Sequence, residues 1–201
     1  MKIKPFALHV LLNVSLAANY ALAQGTFTYD QQSANEGTGG GIANSIQLNQ
    51  PLGQSFTPSL AGVDFIRLNV GDSAVNGLGA TMYVNLRTDS INGPIVATTD
   101  LLTMPDGFSG FPNFFFSSRV TLTLGATYYF QPVVQSGDFW AIVGYNSYNY
   151  AGGVAYYQGT AAPGFDLWFR EGIYTVPEPS VLTLIGFTIS CFILRRRKAG
   201  L

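Results

Sequence analysis

Apolar and polar side chains alternate along much of the central part of the chain. Ile66, Leu68 and Val70 fall on one face of an extended segment and Arg67 falls on the other. Residues 81–88 repeat the pattern with Met, Val and Leu against Thr, Asn and Arg. A period of two is typical of a β-strand with one buried face. The pattern therefore predicts strands rather than helices.

Further apolar segments are rich in aromatic and β-branched residues, which favour strands; they are 127–134, 138–145, 153–159 and 165–171. Turn-forming pairs separate the predicted strands: Asn76-Gly77, Asn92-Gly93, Asp106-Gly107, Ser136-Gly137 and Gly152-Gly153. Pro132 lies inside one strand and predicts an edge position or a bulge there. Many short strands with such turns favour an all-β fold, an antiparallel β-sandwich of jelly-roll type.

The N-terminus has the three parts of a secretory signal peptide. Lys2 and Lys4 precede an apolar stretch over residues 6–22, and Ala21 and Ala23 form a small-residue cleavage site. We expect residues 1–23 to form a signal helix that is removed on export. A permanent N-terminal membrane anchor is the alternative.

The C-terminus also ends in an apolar segment. Residues 181–194 are uncharged, and a helix of this length spans roughly 21 Å, against a hydrocarbon core of about 30 Å. Such a single hydrophobic helix is a poor permanent anchor. The basic residues that follow it, Arg195, Arg196, Arg197 and Lys198, would stop in the cytoplasm by the positive-inside rule.

Between these ends, residues 24–175 predict one domain with an acidic balance. This region has ten carboxylates and four arginines, which give a formal charge of −6, whereas the whole chain has −1. Nucleic acid is therefore not an expected partner, because phosphate binding needs clustered positive charge.

The predicted domain has no histidine and no cysteine, since His9 and Cys191 lie in the terminal segments. This excludes Ser-His-Asp and Cys-His catalysis, zinc sites built on His or Cys, and a disulfide within the domain. An exported domain of this size must then rely on its hydrophobic core.

The C-terminal segment 176–201 resembles a PEP-CTERM sorting signal. Pro177, Glu178 and Pro179 precede the short apolar helix, and the basic cluster ends the chain. The resemblance implies a protein of a Gram-negative bacterium that is exported through the inner membrane and processed by an exosortase. It also implies that Pro177–Pro179 form the recognition motif and that the helix is removed. A plain tail anchor is the alternative.

The central region is similar to small β-sandwich domains that carry such tails. The stretches that carry this resemblance are LGQSFTPSLAGVDFIRLNV, ATYYFQPVV, YAGGVAYYQG and DLWFREG. The resemblance implies a fold that has the outline of carbohydrate-binding jelly rolls, without an assigned activity. It leaves the function of the domain open.

One tyrosine-rich stretch is a candidate saccharide site. Aromatic rings pack on the C–H faces of sugars, while amides and hydroxyls meet the sugar hydroxyls. The candidate residues are Tyr145, Asn146, Tyr148, Tyr150 and Tyr156. The alternative is a structural role for these tyrosines, and we expect Trp140 and Trp168 to belong to the core.

The carboxylates suggest two further possibilities. A facing pair would serve glycoside hydrolysis, but most acids stand in turn contexts where they favour local backbone hydrogen bonds. Calcium takes oxygen ligands, yet no Asp-rich loop groups them, so no cofactor is expected and calcium is a secondary candidate. The sequence favours a non-enzymatic surface or extracellular-matrix protein, associated with exopolysaccharide or biofilm. A carbohydrate-binding module using residues 145–157 is the alternative.

Overall fold

The computed structural model describes residues 25–176, and all regular structure in this range is β-strand. The strands are β1 (Thr26–Gln32), β2 (Ile42–Ser45), β3 (Gly53–Phe56), β4 (Gly62–Leu68), β5 (Val70–Asp72), β6 (Ala80–Thr88), β7 (Ile95–Thr98), β8 (Leu102–Met104), β9 (Ser109–Gly110), β10 (Asn113–Thr121), β11 (Tyr128–Gly137), β12 (Trp140–Tyr145), β13 (Ala155–Tyr157), β14 (Thr160–Ala162), β15 (Asp166–Leu167) and β16 (Phe169–Thr175). The predicted all-β class is confirmed.

Three sheets make up this part of the chain. A four-stranded sheet has the order β1-β16-β4-β10. A seven-stranded sheet has the order β14-β13-β3-β11-β6-β7, and β8 also pairs with β6. A five-stranded sheet has the order β15-β12-β5-β9, and β2 pairs with β12. Every strand pair with a described register is antiparallel, as predicted.

The sheets share one hydrophobic core, which makes the fold sandwich-like. The alternating residues Ile66, Leu68 and Val70 are all fully buried in it, as are Met82, Val84 and Leu86 of β6. Because β4 ends at Leu68 and β5 starts at Val70, a single alternating stretch supplies strands to two sheets. The apolar faces predicted from period two are therefore confirmed, whereas the single buried face is corrected: Phe65 on the opposite face of β4 and Asn85 on that of β6 are buried as well.

Pro132 lies in β11, which is an interior strand of the seven-stranded sheet. The pairing of β11 with β3 covers only Tyr128 to Phe130, so Pro132 has a register partner only on β6. Proline has no N–H to donate, and at this position no strand pairs with β11 on the β3 side, so no ladder hydrogen bond is lost there. Pro132 is thus at a local edge of an interior strand.

Two of the predicted turn glycines show different physical needs. Gly137 has a φ of +104°, in the left-handed region that glycine adopts without strain. Gly153 has no positive φ, but a Cβ on this residue would lie 2.0 Å from the carbonyl oxygen of Ser55. The expectation of positive φ is thus confirmed at Gly137, whereas Gly153 is required by close backbone approach.

No helix in the range 25–176 has the length and hydropathy needed to cross a membrane. The predicted N-terminal signal helix and C-terminal hydrophobic helix lie outside the described residues.

The shared core predicts a large loss of stability when one of its central rings is truncated. Phe130 is fully buried on β11, and its replacement in Phe130→Ala should lower the free energy of unfolding by about 3–5 kcal/mol. The matched control is Phe139→Ala, because the Phe139 side chain is 52% exposed and should change it by less than about 0.5 kcal/mol. Urea denaturation measures both; equal losses would contradict the described core.

Candidate functional site

Two residues of the predicted saccharide site form a pair at the end of β12. Tyr145 is the last residue of this strand, and the ring of Tyr148 meets its ring in a T-shaped contact with centroids 5.8 Å apart. Asn146 and Asn149 are exposed beside the pair, and Asn149 adopts a φ of 53° in the turn. The structure therefore brings together Tyr145, Asn146 and Tyr148.

A glycine-rich segment packs against this tyrosine pair. The hydroxyl of Tyr148 donates a hydrogen bond of 3.2 Å to the carbonyl oxygen of Gly40. A Cβ on Gly40 would approach the ring of Tyr145 to 3.0 Å, and one on Gly41 would approach the side chain of Val143 to 2.3 Å. Partial burial, together with the neighbouring Tyr145, raises the pKa of Tyr148. Both tyrosines of the pair therefore already contact the glycine-rich segment of the same chain.

Tyr150 belongs to the interior rather than to this pair. Its hydroxyl donates to Oε1 of Gln31 at 3.0 Å and accepts a hydrogen bond from the N–H of Thr57 at 3.3 Å. Its ring makes a T-shaped contact with Phe169, with centroids 5.1 Å apart. Burial raises the pKa of Tyr150 to about 12. Its ring and hydroxyl both serve packing between strands.

Tyr156 lies on a different sheet from the Tyr145–Tyr148 pair. It is in β13 of the seven-stranded sheet, and its ring contacts Tyr129 with centroids 5.6 Å apart. The five predicted saccharide residues are therefore distributed over separate environments. Alternation in a short strand next to a glycine pair does not reveal which sheet the strand joins.

Both tryptophans are core residues, as predicted. Trp140 and Trp168 are fully buried. Trp140 stacks on Phe108 with centroids 6.0 Å apart, and Trp168 contacts Phe111 at 4.5 Å. The indole N–H of Trp168 also donates to the carbonyl oxygen of Asn35 at 3.3 Å. Neither ring is available to a ligand at the surface.

Most carboxylates of the described region accept hydrogen bonds from their surroundings. Asp72 accepts bonds of 2.9 Å from the N–H groups of Ala74 and Gly107, which lower the pKa of this exposed side chain. Asp166 is buried and accepts bonds from Nε2 of Gln54 at 2.8 Å and from a backbone N–H at 2.9 Å. Within residues 25–176, no group of three acidic, His or Cys side chains is placed to hold a metal ion.

The arginines are also engaged. Glu36 pairs with both Arg67 at 2.8 Å and Arg170 at 2.6 Å. Arg87 donates to Oε1 of Gln131 at 2.9 Å and to the carbonyl oxygen of Gly93 at 2.6 Å. These contacts tie neighbouring strands and turns together.

Glu171 is a buried acid that the sequence analysis did not single out. It is fully buried in β16, and one carboxylate oxygen accepts the N–H of Gln31 at 3.1 Å. Burial, with the nearby negative charge of Asp30, raises the pKa of Glu171 to about 8. Alternation in this strand would have predicted its burial, because Glu171 is two residues from Phe169 and thus on the same buried face.

A cleft next to β10 was likewise not anticipated. It has a volume of about 350 Å³ and is lined by Asp64, Phe115, Phe116, Ser117, Ser118, Arg119 and Tyr174. A second cleft of about 410 Å³ lies where residues 77–81 meet residues 103–106 and 136–137. The first combines aromatic rings, hydroxyls and an ion pair. Its residues are far apart in sequence, and only the pairing of β4 with β10 and β16 brings them together.

The raised pKa of Glu171 predicts a pH-dependent stability. Its ordinary value is 4.5, so between that pH and about 8 the folded chain holds a proton that the unfolded chain releases. The free energy of unfolding should therefore fall as pH rises through this interval, by at most about 1.4 kcal/mol per pH unit. Glu171→Gln should remove this part of the dependence.

Urea unfolding over this pH interval measures the effect. The control is Glu36→Gln, because Glu36 is ion-paired near the surface and its pKa is lowered: burial alone would raise it, but a backbone hydrogen bond and two arginines outweigh that effect. This control should keep the decline above pH 5. An unchanged decline in Glu171→Gln would contradict the assignment.

Comparison with other proteins adds no relative to this picture. No model of a known protein family matches the chain. No curated protein sequence matches it either.

Proposed function

We propose that this chain is a non-enzymatic exported protein of the cell surface or extracellular matrix. The observation that supports this proposal best is the engagement of its charged groups. Asp30 accepts the N–H groups of Ser59 and Leu60 at 2.8 and 2.9 Å, and Asp64 pairs with Arg119 at 2.6 Å. Carboxylates that are engaged in such hydrogen bonds and ion pairs stabilise strands and turns and are not free to act as catalytic groups. The domain is proposed to act as a scaffold, with a jelly-roll arrangement of its sheets.

Sorting by the C-terminal segment is part of the same proposal. Pro177, Glu178 and Pro179 would be recognised by an exosortase-type enzyme of the inner membrane, after signal cleavage at Ala23. The hydrophobic helix 181–194 and the basic residues 195–198 would hold the chain in the membrane until processing. The mature protein would then reside in the cell envelope or matrix of a Gram-negative bacterium, with exopolysaccharide as its partner.

The second candidate function is a carbohydrate-binding module that uses residues 145–157. The T-shaped pair of Tyr145 and Tyr148 beside the exposed Asn146 favours it. Tyr150 is less suited to ligand contact, because its hydroxyl already bonds with Gln31 and Thr57. This function is compatible with a scaffold role and would add a specific ligand to it.

Intact mass spectrometry of the protein from its native host tests the sorting proposal. Protein from the medium and the envelope should begin at Gln24 and end near Pro179, and added mass at the new C-terminus would identify an attached group. Replacing Pro177 and Pro179 with alanine should leave residues 195–201 in place, whereas the control Ser180→Thr should be processed normally. Full-length tails on wild-type protein in the inner membrane would contradict the proposal.

A further inference from the structure

The cleft beside β10 arises from an irregularity in that strand. Phe115 is paired with Phe65 of β4, and the next pair is Val120 with Val63. Four residues, 116–119, thus separate these two paired positions on β10, whereas only Asp64 separates their partners on β4. Such a bulge turns side chains away from the regular ladder. We call the space that it opens, lined by Asp64, Phe115–Arg119 and Tyr174, the bulge cleft.

One side of the bulge cleft is aromatic. The rings of Phe115 and Tyr174 meet in a T-shaped contact with centroids 5.6 Å apart, and both side chains are partly exposed. The ring of Phe27 contacts that of Tyr174, and the ring of the fully buried Phe65 contacts that of Phe115, with centroid distances of 4.7 and 6.0 Å. The two rings are therefore held in place before any ligand arrives, which limits the entropy lost on binding.

The other side of the bulge cleft is polar. Arg119 donates two hydrogen bonds to Asp64, from Nε at 2.9 Å and from Nη2 at 2.6 Å. The N–H of Tyr174 also donates to Asp64 at 2.7 Å, so this carboxylate is fixed by two strands. Half of the Arg119 side chain is exposed, at 51%, and Ser117 and Ser118 are exposed beside it.

The charges in and around the bulge cleft favour a neutral ligand over an acidic one. Asp64 neutralises Arg119 within the cleft, and the surrounding region 24–175 carries a formal charge of −6. An acidic ligand would meet repulsion without a free cation to offset it. Rigid rings beside hydroxyls and an ion pair instead match a molecule with C–H faces and neutral hydroxyl groups. The volume of about 350 Å³ falls within the range of small-molecule sites, roughly 300–1,000 Å³.

We propose that the bulge cleft binds a neutral pyranose saccharide. One sugar ring packs on Phe115 and Tyr174, and its hydroxyls meet Arg119, Asp64 and the two serines. The inference rests on the proposed association with exopolysaccharide and moves the point of contact away from the Tyr145–Tyr148 pair. It also gives a binding role to a bulge in an edge strand, where such irregularities in general discourage pairing with another chain.

Calorimetric titration of the full chain in a detergent without sugar groups tests this proposal. The probes are neutral hexasaccharides of glucose, galactose and mannose, with hexagalacturonate as the acidic probe. We expect saturable binding of at least one neutral probe and weaker binding of the acidic one. Tyr174→Ala should weaken the neutral interaction about tenfold or more, because a stacking face is lost.

Two variants complete the design. Ser118→Trp alters an exposed residue and fills the cleft, so it should abolish binding while the thermal unfolding temperature stays unchanged. Tyr145→Ala removes one ring of the other T-shaped pair and should leave the affinity within about twofold.

The outcomes separate the proposals. Absence of binding by every neutral probe, or unchanged affinity in both folded Ser118→Trp and Tyr174→Ala, would overturn the bulge cleft as a saccharide site. Loss of affinity in Tyr145→Ala alone would assign the contact to the tyrosine pair instead. The sorting proposal is measured by mass and does not depend on these titrations, so either proposal can fail while the other holds.

Discussion

The contact of Phe169 with Phe130 and Phe56 is the interaction on which the described fold depends. Phe169 belongs to the four-stranded sheet, whereas the other two rings belong to the seven-stranded sheet, and their centroids lie 5.2 and 6.4 Å from that of Phe169. With no cysteine between residues 24 and 175, no disulfide joins the sheets. Burial of apolar surface must therefore hold them together. Trp140 joins the same core from the five-stranded sheet.

This dependence on a shared core explains how polar side chains are distributed between the interior and the surface. Asp166 and Gln54 are buried together with a hydrogen bond of 2.8 Å, and the side-chain oxygen of Gln54 accepts the N–H of Leu167 at 3.0 Å. Such groups are costly to bury without partners, so the fold supplies partners for them. Exposed polar side chains lie instead at turns, at the bulge of β10 and on the outer faces of several strands. Ligand recognition is therefore expected at the surface, since most of the buried polar groups already have partners within the fold.

Period two was enough to predict the buried residues Ile66 and Leu68 of β4 and the apolar face of β6, but not the burial of Val63 and Phe65 on the opposite face of β4. The expected burial of Trp140 and Trp168 is confirmed, but it rested on the tendency of large apolar rings to be buried rather than on alternation. The bulge after Phe115 was not predictable, because it depends on how β10 registers with β4 rather than on local propensity. Tyr156 was misleading for a related reason: strand order decides its neighbours, and a three-residue strand carries no information on order.

The most direct measurement of the shared core is urea unfolding of the full chain followed by two probes. Far-ultraviolet circular dichroism reports the strands of all sheets, and fluorescence reports the buried Trp140 and Trp168. One core predicts that the two transitions coincide with the same midpoint and slope. A fluorescence transition that is complete while most of the strand signal remains would show that the sheets unfold separately, and would contradict this account.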